Sequence, residues 1–166
     1  MTAQPGTFQA AAEAHLDDVY AYLCYLTGSR SLAEDLTSST FEKALGIWGR
    51  FDPRRGSART WLCQIARTTA LDHFRAEDRR RRREAAYAAE EPLVEEPLAE
   101  GLSPELEAAL RSLSAAEREV IALRVLLELD GPTAARLLGI SPTACSTRLS
   151  RALHRLEELM KDAVAA

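Results

Sequence analysis

The sequence has 166 residues, 46% hydrophobic and 28% charged, with a formal net charge of −4; this is ordinary globular composition for one average domain or two small ones, and it argues against a general nucleic-acid coat. Three dispersed cysteines (Cys24, Cys63, Cys145) without a Cys-x-x-Cys pair, and three histidines (His15, His73, His154), indicate neither a disulfide framework nor a zinc site, so no cofactor or metal is expected. The opening MTAQPGTFQA lacks a basic start and an apolar run, and the longest apolar stretch, residues 120–127, is interrupted by Arg124; neither a signal peptide nor a membrane span is read, and a cytoplasmic protein is expected.

The charge falls in blocks: −4 over residues 1–53, +7 over 54–83, −8 over 84–110 and +1 over 111–166. Such blocks predict separate jobs. In residues 7–26, Phe8, Ala11, Ala12, His15, Leu16, Val19, Tyr20, Leu23 and Leu26 recur near helical spacing, and Gly28 supplies a stop, which predicts a first helix. Ser31 and Glu34 stand three apart in a capping-box pattern and predict a second helix through Leu32, Leu36, Phe41, Ala44, Leu45 and Trp48. Its early acids, Glu34 and Asp35, suit the positive end of the helix dipole.

Pro53 and Gly56 mark residues 51–56 as a loop, and Ser57 or Thr60 is placed to cap a third helix. In that helix Trp61, Leu62, Ile65, Ala66, Thr69, Leu71 and Phe74 follow a helical period, leaving Gln64, Arg67, Thr68, Arg75 and Arg79 on other faces. With Arg54, Arg55 and Arg59 ahead of it and five arginines at 79–83, a basic loop feeds a basic helix. That pattern suits a phosphate backbone, with the indoles of Trp48 and Trp61 near enough to stack on unpaired bases. A solvated Arg-rich helix with two core tryptophans fits the same residues, and at this point both readings stand.

Residues 84–102 carry six glutamates, two prolines, one glycine and no lysine or arginine. One sign of charge with low hydrophobicity predicts a flexible linker. It could reach about 65 Å fully extended or about 25 Å as a coil, enough to hold two modules apart. The second module opens at Ser103-Pro104-Glu105, a cap with proline at the first helical position, and Leu106, Ala109, Leu110 and Leu113 line the apolar face of the helix it starts. Ser114 and Glu117 form a second capping-box pattern ahead of Val120, Ile121, Leu123, Leu126 and Leu127. Asp130-Gly131-Pro132 starts a short helix that Gly139 breaks, and Ser141-Pro142 starts a last helix running to about Lys161. Short helix, glycine turn and longer helix make a helix-turn-helix. No acid occurs between Gly131 and Leu156. Thr143, Ala144 and Ser146 are small enough to let the last helix sit deep in a major groove. Arg148, Arg151 and Arg155 are then placed for phosphates or guanines, with Ser141, Thr147 and His154 among the other non-apolar residues of the stretch; a structural three-helix unit shares the geometry, and the missing acids favour DNA.

Two signatures meet in this chain, which resembles an extracytoplasmic-function (group 4) sigma factor of bacterial RNA polymerase. Ala33-Glu34-Asp35-Leu36 with Phe41 and Ala44, then Trp61-Leu62, Ile65-Ala66 and Leu71-Asp72-His73-Phe74-Arg75, resemble region 2 of that family. The run from Leu113 to Leu127, followed by Leu137-Leu138-Gly139-Ile140-Ser141 and Arg148-Leu149-Ser150-Arg151-Ala152, resembles region 4. The resemblance implies an all-α chain of two small helical modules. Region 2, a three-helix unit, would span residues 1–83, a flexible acidic linker 84–102, and region 4, the helix-turn-helix, 103–166.

It further implies that Glu34, Asp35, Leu36, Phe41, Ala44 and Trp48 meet the clamp helices of core RNA polymerase, whose flap is a second contact. Arg54, Arg55, Trp61, Gln64, Arg67, Thr68 and Arg75 would capture the −10 element as promoter DNA melts, and the last helix would read the −35 element as duplex. An anti-sigma protein is a further expected partner. The end Ala163-Val164-Ala165-Ala166 is similar to small apolar tails read by ClpXP-type proteases. Ser38-Ser39 departs from the family pattern at the clamp contact and leaves its detail open, and Thr68 and Thr133-Ala134-Ala135 depart from it in ways that leave base specificity open. A stand-alone helix-turn-helix regulator binding duplex DNA without polymerase is the other class, and it has no need of the Trp61 helix with its basic loop. An enzyme is not expected: Asp72 and His73 are adjacent on one helix and cannot face each other, and Cys63 has no base partner.

Overall fold

A computed structural model describes residues 6–84 and 96–166; residues 85–95, most of the expected linker, lie outside the described residues. The described residues form helices and turns: α1 (Phe8–Thr27), α2 (Arg30–Gly46), α3 (Ala58–Glu84), α4 (Pro104–Ser112), α5 (Ala115–Ile121), α6 (Gly131–Leu138) and α7 (Pro142–Ala165). A short 3₁₀ turn, Trp48–Arg50, follows α2, and a π-turn, Ala122–Leu126, extends α5. Among these residues no helix is long and apolar enough to cross a membrane.

Caps set most of the boundaries. Thr7, Ser103, Ser114, Asp130 and Ser141 are extended residues whose side-chain oxygens each accept from the backbone N–H three residues on, satisfying a donor the helix itself cannot. The Ser114–Glu117 pair is a complete capping box, closed in both directions. The pair expected at Ser31 and Glu34 does not form. Gly28 ends α1 in the left-handed region (φ 69°), leaving Ser29 alone extended between two helices, so the Ser29 hydroxyl caps α2 by accepting from Leu32 N–H at 3.2 Å. Ser31 is already helical and exposed.

Helices α1, α2 and α3 pack on one another through small residues: Ala33, Ala44, Ala66 and Ala70 are wholly buried beside Val19, Leu23 and Leu62. The buried hydroxyls of Thr37, Thr40 and Thr69 are satisfied locally, each donating to the carbonyl four residues back. In the second unit α5, α6 and α7 pack around Val120, Leu123, Ala134, Leu138, Cys145 and Ala152.

The two units are not held apart. Their buried residues form one continuous cluster, in which α1 packs against α5 and the π-turn, and α3 meets α6. The described end of the acidic segment joins it: Leu98 is 2% exposed, and its N–H donates to the Glu107 carboxylate at 2.8 Å. Burying one more apolar side chain adds about 2 kcal/mol to this core.

All three cysteines are free and buried. Burial pushes the Cys63 thiol up to about 12, and raises Cys24 as well. Thiolate is the reactive form. We therefore expect the native protein to leave a thiol reagent uncoloured at mildly alkaline pH and all three thiols to react once denaturant is added; reaction in the native state would show that the core opens.

Candidate nucleic-acid interface

The loop before α3 is stiffened by its own charges. Asp52 accepts from the backbone N–H of Arg54 at 3.0 Å and takes the Arg54 guanidinium in a two-point pair, both contacts at 3.1 Å. The hydrogen bonds from Arg54 hold the Asp52 carboxyl below its usual range. Arg54 is thus exposed but locally neutralised, whereas Arg55 is exposed and makes no ion pair among the described residues. Ser57 Oγ caps α3 by accepting from Thr60 N–H at 3.1 Å.

The two tryptophans are each other's neighbours. Trp48 stacks on Phe51 (centroids 4.9 Å apart, planes at 21°), meets Trp61 edge-on at 5.7 Å and is met by Phe8 at 5.6 Å. Both indoles are half-buried, so the aromatic cluster ties the loop to the three-helix unit and leaves only part of Trp61 at the surface. Below it Gln64 and Thr68, four apart, share the outward face of α3. With Lys43, Ile47, Ile65 and Thr69 they line an open, mainly apolar groove of about 460 Å³. Arg75 is exposed beside Asp72 at 3.4 Å.

Arg67 does not share that face. Its Nε donates at 2.7 Å to Glu119 of α5, away from solvent.

In the second unit, Gly139 adopts φ 69°, a conformation that L side chains rarely hold, and so turns the chain between α6 and α7. Cys145, Leu149, Ala152, Leu156 and Leu159 face the core from α7. Ser141, Thr143, Ala144, Thr147, Arg148 and Arg151 line a concavity of about 510 Å³; Ser146 is exposed but outside this lining, and His154 and Arg155 are exposed further along. Glu117 also borders it, but its carboxylate accepts from Ser114 N–H at 2.8 Å. Arg148, Arg151 and Arg155 make no ion pair among the described residues; His154 lies 3.2 Å from Glu158. Small polar residues at the start of a helix with unpaired arginines behind them can enter a groove and hold phosphates on either side.

The six residues expected to meet polymerase divide. Glu34 and Asp35 are exposed on α2, while Phe41 and Trp48 are half-buried in the aromatic cluster. Leu36 (5% exposed) and Ala44 (0%) turn inward and hold α2 on the core, so they offer no surface. The exposed stripe of α2 is instead Asp35, Ser38, Glu42 and Leu45, and Leu45 is 60% exposed. An apolar residue left in water on a helix that otherwise buries its own was the signal available for that face. Glu119, buried and central to the joint, had no such signal.

The Sigma-70 region 2 family matches residues 11–80, and the Sigma-70 region 4 family matches residues 103–156. Among curated proteins, the ECF RNA polymerase sigma factor BldN of Streptomyces coelicolor is 36% identical over 151 residues, covering 88% of this chain and 57% of BldN, a little over half its length. The probable RNA polymerase sigma-C factor of Mycobacterium bovis is 35% identical over 89% of this chain and 80% of its own. SigX of Bacillus subtilis is 30% identical over 95% and 90%. Among solved structures, the sigma factor RpoE of Bartonella quintana, in complex with the anti-sigma factor NepR, superposes with a TM-score of 0.80 at 27% identity, covering 93% of this chain and 96% of that one.

Proposed function

The chain belongs to the extracytoplasmic-function sigma factors of RNA polymerase, and on that premise we propose how its surfaces divide the work of promoter-specific initiation. The α7 face from Ser141 to Arg155 reads the −35 element as duplex DNA. The loop at 51–57 with Trp61, Gln64, Thr68 and Arg75 takes the −10 strand as the duplex opens, and Arg67 joins them once it leaves Glu119. The α2 stripe with Glu34, Asp35, Glu42 and Leu45 docks on core polymerase. The observation that carries this reading is the pairing, in one chain, of an outward face on α7 that bears no acid between Ser141 and Leu156 with a basic, aromatic loop and helix at α3. A stand-alone duplex-binding regulator would use only the first.

Work of this kind needs no catalytic group, and a cytoplasmic site of action follows from the polymerase it serves. RpoE of Bartonella quintana carries an anti-sigma factor, and we take this chain to have such a partner too. Co-elution of the purified chain with bacterial core polymerase, followed by run-off transcription from a genomic fragment library, tests the reading. New start sites sharing two spaced elements are expected. Binding to duplex fragments without polymerase would replace it with the stand-alone regulator.

Within that assay, Trp61→Ala should leave co-elution intact and reduce promoter opening, measured by permanganate reactivity of unpaired thymines. Loss of one base–indole stack costs about 1–3 kcal/mol, roughly five- to 150-fold in the opening equilibrium. Because Trp61 also packs on Trp48 and Phe51, its melting temperature should fall. A lower melting temperature with normal opening would leave Trp61 a purely structural residue.

A further inference from the structure

The joint between the two units is closed by polar groups as well as apolar ones, and the acids lie on one side of it. Glu119 of α5 is 4% exposed. One of its carboxylate oxygens accepts from Tyr22 Oη at 2.6 Å and from Arg67 Nε at 2.7 Å, both from the N-terminal unit. A carboxylate this deep is tolerable only while its partners stay, and removing one leaves a buried charge uncompensated. Beside it, Arg118 Nε donates to Tyr25 O and Arg111 Nη1 to Gly28 O, both at 2.8 Å. Helix α1 has no basic residue in its last turn, so these two arginines put positive charge against its negative end. Across the joint Arg55, Arg59 and Gln64 face Glu128, Asp130 and Arg136 over a cleft of about 680 Å³.

We propose that the chain carries its own latch: Glu119, gripped by Tyr22 and Arg67, holds the C-terminal unit against α1 and α3 and withholds Arg67 from a DNA strand until the units part. The outward face of α7 stays exposed in this closed arrangement. The closed chain therefore can meet duplex DNA through α7 while Arg67 is unavailable to an unpaired strand. What Arg67 does after release rests on the sigma-factor reading. The latch itself does not.

Spin labels on Ser38→Cys and Ser150→Cys, one exposed site in each unit, report the separation by double electron–electron resonance in the isolated full chain. The parent should give one narrow distance population. Glu119→Gln, which keeps the shape but loses the charge that Arg67 pairs with, should raise the ratio of open to closed molecules about tenfold or more, as loss of a charged hydrogen bond requires. Affinity for a fluorescein-labelled single strand of about a dozen nucleotides should tighten along with the opening. A broad parent distribution, or one that Glu119→Gln leaves unchanged, would overturn the latch. Opening without tighter strand binding would overturn the withholding of Arg67. If Glu119→Gln no longer melts cooperatively, Tyr22→Phe and Arg67→Gln remove the two hydrogen bonds one at a time and are read by the same distances. None of the distance measurements needs polymerase, so a chain that never co-elutes with polymerase would sink the sigma-factor reading while leaving the latch result as it stands.

Discussion

The Arg148→Ala/Arg151→Ala variant should bind its duplex element with a log–log salt dependence shallower by about two and with affinity reduced about ten- to a hundredfold. Both side chains border the concavity on α7, and neither has an ion pair to give up among the described residues, so their charge is free to replace counterions on DNA phosphates. Each phosphate so neutralised contributes about 0.9 to the slope. Truncation removes the charge without touching Cys145 or Ala152, the buried anchors of the helix, and the melting temperature should hold. Co-elution with core polymerase should be unaffected, because the α2 stripe lies on the other unit. The measurement is a titration of duplex binding at several salt concentrations. An unchanged slope in the double variant would move the −35 contacts off this face.

Leu123→Ala should lower stability by about 2–5 kcal/mol, the cost of a buried leucine truncated where neighbours cannot collapse, and the melting temperature by roughly 5–20 °C for a chain of this size. Leu123 is wholly buried in the π-turn that packs against α1. The sharper part of the expectation is the probe. Both tryptophans, Trp48 and Trp61, belong to the N-terminal unit, whereas Leu123 belongs to the C-terminal one. With one shared core, tryptophan fluorescence must report the loss at Leu123 with the same midpoint shift as circular dichroism. Should the fluorescence midpoint stay put while circular dichroism acquires an earlier step, the two units melt separately and the shared cluster contributes little.

Local chemistry made much of this structure legible. A small polar residue followed by proline at Ser103 and Ser141, or by an acid three positions on at Ser114, has few alternatives to starting a helix, and these boundaries stood where the sequence put them. Ser31 misled because two serines compete at that turn; Gly28 decides between them by where α1 stops. The outward face of α7 up to Leu156 was readable because its apolar residues keep helical period and its polar ones include no acid. What hid was everything long-range. Leu36 and Ala44 carry the family pattern, yet their spacing turns them to the core. Arg67 looks like any other arginine on a basic helix until Glu119, 52 residues on, claims it. No periodicity can announce a carboxylate that is buried only because another unit supplies its cation, and Leu98 sits in a stretch whose composition alone favours solvent.

Helix α1 ends on carbonyls that Arg111 and Arg118 complete from 83 and 93 residues further along the chain. During synthesis α1 is made long before those arginines exist. At about 5–20 residues per second the gap is roughly 5–20 s, far longer than the microsecond scale on which helices form. For that interval the last turn of α1 frays against water, and Tyr22 and Arg67 stand without their carboxylate. The nascent chain thus passes through a stage in which Arg67 is unclaimed, and the arrival of α5 is what pairs it.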